Sequence, residues 1–122
     1  MQEEYGIGID IEKISRFSKV KAKDDRFLRT FMTKREIDYC FSKESPLPHV
    51  AARFAGKEAT IKALSGLSIM NISFKDIEIT NDKHGRPSAS IKSGGKLNIQ
   101  VKLSLAHSDD NAIAIALAIR EG

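Results

Sequence analysis

LNIQVKLSLAHSDDNAIAIALAI, residues Leu97 to Ile119, reads as two β-strands joined by a polar loop. Leu97, Ile99, Val101, Leu103 and Leu105 alternate with Asn98, Gln100, Lys102 and Ser104, the period-2 pattern of a strand with one buried face. After the loop His107 to Asn111, Ile113, Ile115, Leu117 and Ile119 alternate with alanines, so the last strand is apolar on both faces. Such a strand is expected to be buried on both sides or to lie in a subunit interface. Working back, Phe74 to Thr80 and Pro87 to Lys92 repeat the strand pattern on either side of an Asn81 to Arg86 turn. Before them the period lengthens to about 3.6. His49 to Leu64 reads as one long helix, with an interruption at Ser45 to Pro48 ahead of it and Gly66 placed to stop it. At the start of the chain, Tyr5, Ile7, Ile9 and Ile11 alternate with Gly6, Gly8 and Asp10, giving a strand with one apolar and one nearly bare face. This order predicts an α+β fold: a largely antiparallel sheet packed with one long helix and shorter N-terminal helices. The 122 residues, 41% of them hydrophobic, suit a single domain over 1–122.

The net charge of +4 is unevenly spread. Glu12 to Arg35 holds nine Lys or Arg and three acids, a net +6, which leaves −2 for the rest of the chain. Glu12 to about Lys23 reads as a basic amphipathic helix with Ile14 and Phe17 on its apolar edge. Arg26 to Phe31 reads as a second short helix, and Thr33 with Glu36 has the capping-box spacing that starts a third, running through Cys40. The basic segment fits either an acidic partner, whether nucleic acid, anionic membrane or protein, or a solvated face that aids solubility. No apolar run approaches the roughly 18 residues of a membrane span. Two glutamates stand where a signal peptide would carry positive charge, so a soluble, cytoplasmic protein without membrane attachment is expected. The lone Cys40 has no partner for a disulfide or a zinc site and reads as a small, half-buried hydrophobe.

Several motifs fail. Gly56-Lys57 is followed by Glu58 and lies mid-helix, which excludes a phosphate-binding loop. His49, His84 and His107 lack metal-ligand spacing. Glu58 and Lys62 are more informative, because they fall within the arc of Ala51, Phe54, Ala55 and Ile61, on the side expected to face inward. Burying charge costs several kcal/mol unless it is paired or meets a metal or ligand. The pair is therefore either an edge-of-face helix salt bridge or part of a site. Glycines on a strand face mark close approach of a ligand or of another backbone, and here they lead to Asp10, which either caps the next helix or belongs to that site. Two carboxylates, Asp10 and Glu58, suit a hard cation such as Mg²⁺, and Lys62 one turn away could stabilise a departing phosphate.

Three blocks in order, GIGIDIEKISRF, RFAGKEATIKAL and SLAHSDDNAIAIALA, together with HGRP at His84 to Pro87, resemble the signature blocks of the phosphopantetheinyl transferases. Block order and length resemble the short holo-acyl-carrier-protein synthase type, and the resemblance spans nearly the whole chain. It implies the 4′-phosphopantetheinyl transferase fold. The implied reaction is transfer of 4′-phosphopantetheine from coenzyme A, a substrate, to a serine of an acidic acyl carrier protein, with Mg²⁺ as cofactor, in fatty acid biosynthesis. It also implies Asp10 and Glu58 as metal ligands and Glu58 and Lys62 as catalytic residues. Coenzyme A would be held by Arg53, Lys62, Gly85, Arg86, Pro87, His107 and Ser108, across the subunit interfaces of a homotrimer. Glu58 itself or a metal-bound water would serve as general base. The basic segment then gains a partner, with Arg16, Lys23 and Arg26 expected to dock the carrier protein. Two positions depart from the family pattern: Asn111 stands where an aromatic residue is common and Gly56 where alanine is. The rival reading is a basic nucleic-acid-binding module without catalysis, and it leaves Glu58 and Lys62 unexplained. A trimer that keeps the fold without catalysis is a third.

Overall fold

Each alternating run becomes a strand. The computed structural model describes residues 4–92 and 97–121. In it, β1 (Tyr5–Lys13), β2 (Ile77–Asn81), β3 (Pro87–Ile91), β4 (Ile99–His107) and β5 (Asn111–Arg120) form one sheet in the order β1-β5-β4-β3-β2. All neighbours are antiparallel. Two helices, α1 (Lys34–Phe41) and α2 (Pro46–Ser65), separate β1 from the hairpins. Thr33 and Glu36 form the capping box at the start of α1. The α+β fold and its long helix are as expected. No helix among the described residues is long and apolar enough to cross a membrane.

The bare face of β1 is a seat for a helix backbone. A Cβ on Gly8 would stand 2.0 Å from the carbonyl oxygen of Ala59, and one on Gly6 would stand 1.9 Å from that of Ala63. Only glycine permits this approach. On the same face β5 presents Ala112, Ala114, Ala116 and Ala118, all buried beneath α2. Side-chain bulk is therefore displaced to the opposite face. Tyr5, Ile7, Ile9 and Ile11 are between 56% and 68% exposed, and Ile113 and Ile115 extend the same row.

Several sequence expectations are corrected, among them the short helix over Arg26 to Phe31, which is only a 3₁₀ turn at Leu28–Thr30. Glu12 and Lys13 belong to β1, paired with Ala112 and Asn111, so no helix runs from Glu12 to Lys23. Ile14–Phe17 forms one 3₁₀ turn, and Phe17 and Val20 plug the core on irregular chain. With the strand taking its first residues, the remainder keeps Ile14, Phe17 and Val20 as its apolar positions, spaced every three residues, the period of a 3₁₀ turn. The long helix begins at Pro46, not His49, because a proline at its first position loses no hydrogen bond. Finally, Glu58 and Lys62 do not face inward. The buried side of α2 is formed by Ala51, Ala52, Ala55, Gly56, Ala59, Thr60 and Ala63, whereas Glu58 and Ile61 are half-buried and Lys62 is exposed. Gly56 has its own reason to lack a side chain, since a Cβ there would lie 2.8 Å from Ile79 Cδ1.

Of the two charges that α2 does bury, Arg53 and Lys57, it is Lys57 that meets a carboxylate. Its ammonium is fully enclosed and donates to Phe31 O at 2.6 Å, Glu36 Oε1 at 2.7 Å and Phe74 O at 3.1 Å. All three donors are satisfied, although burial still pulls its pKa down against the pull of Glu36. Glu36 Oε1 also accepts from Thr33 N, and Oε2 accepts from Ile79 N on the sheet-edge strand β2. Cys40, fully buried rather than half-buried, packs nearby, and burial pushes its thiol up to about 11. Lys57→Met would strand the Glu36 carboxylate, and we expect it to lower unfolding free energy by about 3–5 kcal/mol. Urea denaturation checks this, with Lys62→Met, on the exposed side of α2, expected to change it by about 0.5 kcal/mol or less.

Candidate active site

Asp10 lies within β1, opposite Ala114, which rules out a helix-capping role. Its side chain is 12% exposed, and its Oδ2 is buried without a hydrogen-bond partner. Lys62 Nζ donates to Ile9 O at 3.0 Å and stands 3.5 Å from Asp10 Oδ1. Burial, and then the neighbouring Glu12 carboxylate, push the Asp10 pKa from 3.8 up to about 7, with Lys62 opposing the shift. Glu12 is itself held by Arg16, whose Nη1 lies 2.6 Å from Glu12 Oε1. The Arg16 guanidinium stacks 4.5 Å above the Phe54 ring.

Glu58 lies on α2 one helical turn before Lys62. Gly6 lies against Ala63 and Gly8 against Ala59, so β1 advances two residues per helical turn. Asp10 therefore comes level with the turn carrying Ala55 and Glu58. No trio of His, Cys, Asp or Glu side chains gathers to hold a metal among the described residues. Asp10 and Glu58 nevertheless suit a hard divalent cation that takes its remaining ligands from phosphate and water. The orphaned, partly desolvated Oδ2 is an acceptor that such a cation would satisfy.

A second cluster lies on another flank of α2. Its cavity, about 160 Å³, is lined by Tyr39, His49, Arg53, Asn81, Gly85, Pro87 and His107, among others. Arg53 is 2% exposed, sits 4.5 Å above the Tyr39 ring and donates through Nη2 to Asn81 Oδ1. Its Nε is buried without a partner. A groove of about 400 Å³ adjoins through Arg53 and Asn81, and Arg35, Lys43 and Lys83 line it as well. Gly85, at φ +81°, forms a turn tied down by Asp82 Oδ1, which accepts from His84 N and Arg86 N. Arg86 pairs with Asp82 and stays exposed. Ser108 Oγ accepts from Asn111 N at 3.3 Å and from Asp110 N at 3.4 Å, closing the loop beyond His107.

The fold thus brings Arg53, Gly85, Pro87 and His107 together, and separately Asp10 and Lys62, with Glu58 one helical turn before Lys62. None of the latter three lines the Arg53 cavity. Arg53 and Glu58, five residues apart, point about 140° apart around α2 at 3.6 residues per turn. Lys23, 3.5 Å from Asp38, lies beyond Arg16 on the basic segment. Sequence reasoning missed four participants: Glu12 beside Asp10, Tyr39 beneath Arg53, Asn81 beside it, and His49. The His49 ring lies 5.6 Å from that of His107, and burial followed by His107 lowers its pKa. Glu12 shares a strand face with Asp10 at i,i+2, a signal the alternation carried, whereas no spacing in the chain announces the other three.

A family model described as the 4′-phosphopantetheinyl transferase superfamily matches residues 6–118. The holo-[acyl-carrier-protein] synthase of Chloroherpeton thalassium is 40% identical over 114 residues, covering 91% of this chain and 94% of that protein. That of Clostridium kluyveri is 38% identical over 119 residues, covering 93% and 88%. The crystal structure of Helicobacter pylori holo-[acyl-carrier-protein] synthase in complex with coenzyme A superposes with a TM-score of 0.77 at 33% identity, covering 92% of this chain and 98% of that one. The Bacillus anthracis enzyme in complex with CoA (3′,5′-ADP) does so with a TM-score of 0.77 at 31% identity, covering 95% and 96%. By family model, by close relatives and by fold, the chain belongs to the 4′-phosphopantetheinyl transferase superfamily and, within it, to the holo-[acyl-carrier-protein] synthases.

Proposed function

We propose that the chain transfers 4′-phosphopantetheine from coenzyme A to a serine of an apo acyl carrier protein, releasing adenosine 3′,5′-bisphosphate, in support of fatty acid biosynthesis. The observation that carries this reading is the half-buried Asp10 carboxylate with its orphaned oxygen, one lysine reach from Lys62. Mg²⁺, held by Asp10 and Glu58, would neutralise the pyrophosphate. Lys62 turns from Ile9 O to a phosphate oxygen and offsets charge there as the transfer proceeds. The serine oxygen bonds to the phosphorus that carries pantetheine, and the bridging P–O bond breaks. Electrons go to the departing bisphosphate, and the serine proton goes to Glu58 or to solvent beside it.

Arg53 and Arg86 offer charge to the nucleotide phosphates, and the Gly85–Pro87 turn offers backbone to adenine or ribose. His107 and Ser108 close the same end. These groups and Asp10 lie on different flanks of α2, so the proposed site is shared between copies. The outward row of Tyr5, Ile7, Ile9, Ile11, Ile113 and Ile115 is an apolar face of the kind that subunits cover, which supports a homotrimer. Arg16, Lys23 and Arg26, from the same basic segment as Phe27, which is 42% exposed, form the docking surface for an acidic carrier.

Incubation with coenzyme A, Mg²⁺ and apo carrier is expected to add one phosphopantetheine mass to the carrier, read by intact-mass spectrometry. No gain on any carrier tested would refute the activity. Asp10→Ala should reduce the rate by about 100-fold or more. Arg16→Glu is expected to raise KM for the carrier about tenfold while leaving KM for coenzyme A in place, a loss of about 1.4 kcal/mol at the docking surface. Light scattering should give three times the chain mass for the native protein and a smaller species for Ile9→Glu, which should also lose activity.

A further inference from the structure

We propose that Asn81 is a positioning residue that orients the Arg53 guanidinium without neutralising it, and so sets the preference for a coenzyme that bears a ribose 3′-phosphate. The inference rests on the reading of Arg53 as a phosphate partner given above. Asn81 ends β2 in register with Pro87, so its backbone is fixed by the ladder. Both ends of its amide are in use. Oδ1 accepts from Arg53 Nη2, and Nδ2 donates to Gly85 O at 2.9 Å. A flipped amide would set donor against donor at Arg53 and acceptor against acceptor at Gly85, so the two contacts hold each other in place. One side chain thereby couples the buried cation to the height of the Gly85–Pro87 turn.

The chemistry of the coupling matters. Arg53 is 2% exposed and has no carboxylate partner among its ion pairs or hydrogen bonds in the described structure. Tyr39 supports its face, Asn81 takes one Nη2 hydrogen, and Nε is left without a partner. An aspartate in place of Asn81 would fix the same plane but would cancel the charge and lose the donor to Gly85 O. A neutral amide leaves the cation's full charge to an anionic ligand. Arg53 and Asn81 both line the small cavity and the adjoining groove, whose other cations are Arg35, Lys43 and Lys83. A phosphate at that junction would meet a charge whose direction is already set.

Calorimetric titration of the full protein with coenzyme A and with 3′-dephospho-coenzyme A tests this without a carrier. The native protein is expected to prefer coenzyme A at least tenfold. Asn81→Asp should reduce that preference about tenfold, weakening coenzyme A far more than the dephospho form, and Asn81→Ser should reduce it less. A defect that is merely structural would weaken both ligands together, and such a result would overturn the proposal. If Arg53→Ala removes the preference but Asn81→Asp retains it, the positioning role is wrong and the reading of Arg53 stands. If Arg53→Ala retains the preference, the reading of Arg53 fails and this inference fails with it. Thermal melting of Asn81→Asp and Asn81→Ser identifies the variant that stays folded, on which the comparison is made.

Discussion

The ion pair of Lys57 and Glu36 holds one side of the molecule to the other. An ammonium with three acceptors and a carboxylate with three donors sit where no water reaches, on elements that no other polar contact joins so completely. Through Glu36 the pair ends the sheet, capping the Ile79 amide that an edge strand would otherwise leave bare. Through Lys57 it fixes α2 against the 3₁₀ turn that leads into β2. Two residues further along that strand stands Asn81, so the position of the Arg53 cavity depends on a charge pair whose lysine is buried one helical turn from Arg53. A hydrophobic pair of similar volume would fill the space without specifying which strand edge meets which helix.

Much of this architecture was legible in the sequence. Alternation in Tyr5 to Ile11 and in Leu97 to Ile119 gave strands, and Thr33 with Glu36 announced the start of α1, because period and capping are local properties. What escaped was the direction in which elements face. Phe54 and Ile61 suggest an inward arc on α2, but the helix buries its alanines, whose small side chains carry little periodic signal. The same inversion hid Lys57, which looks like a surface residue in an alanine-rich helix. The basic stretch after Glu12 was misread as helix because nothing local shows that β5 continues the ladder to Lys13.

For the site, Asp10, Glu58 and Lys62 were visible as chemistry, but for a partly mistaken reason. Lys62 reaches Asp10 from an exposed flank of α2 and not from its buried face. Arg53 with the Gly85–Pro87 turn came from resemblance, and the structure puts them in one cavity. Tyr39, His49 and Asn81 needed the fold, since each meets its partner only after distant segments pack together.

The contact between β1 and α2 has a consequence for how this chain can change. Its surfaces are already built from the smallest residues, Gly6 and Gly8 on one side and Ala59 and Ala63 on the other. Nearly every substitution there adds volume, and almost none removes it. Ordinary cores drift by exchanging a larger residue at one position for a smaller one at its neighbour. Here no smaller neighbour remains to compensate, so drift at this seam runs into a wall in one direction and into loss of helix propensity in the other. The outer row of β1 differs, since isoleucine and tyrosine have volume to exchange in either direction so long as the face stays apolar.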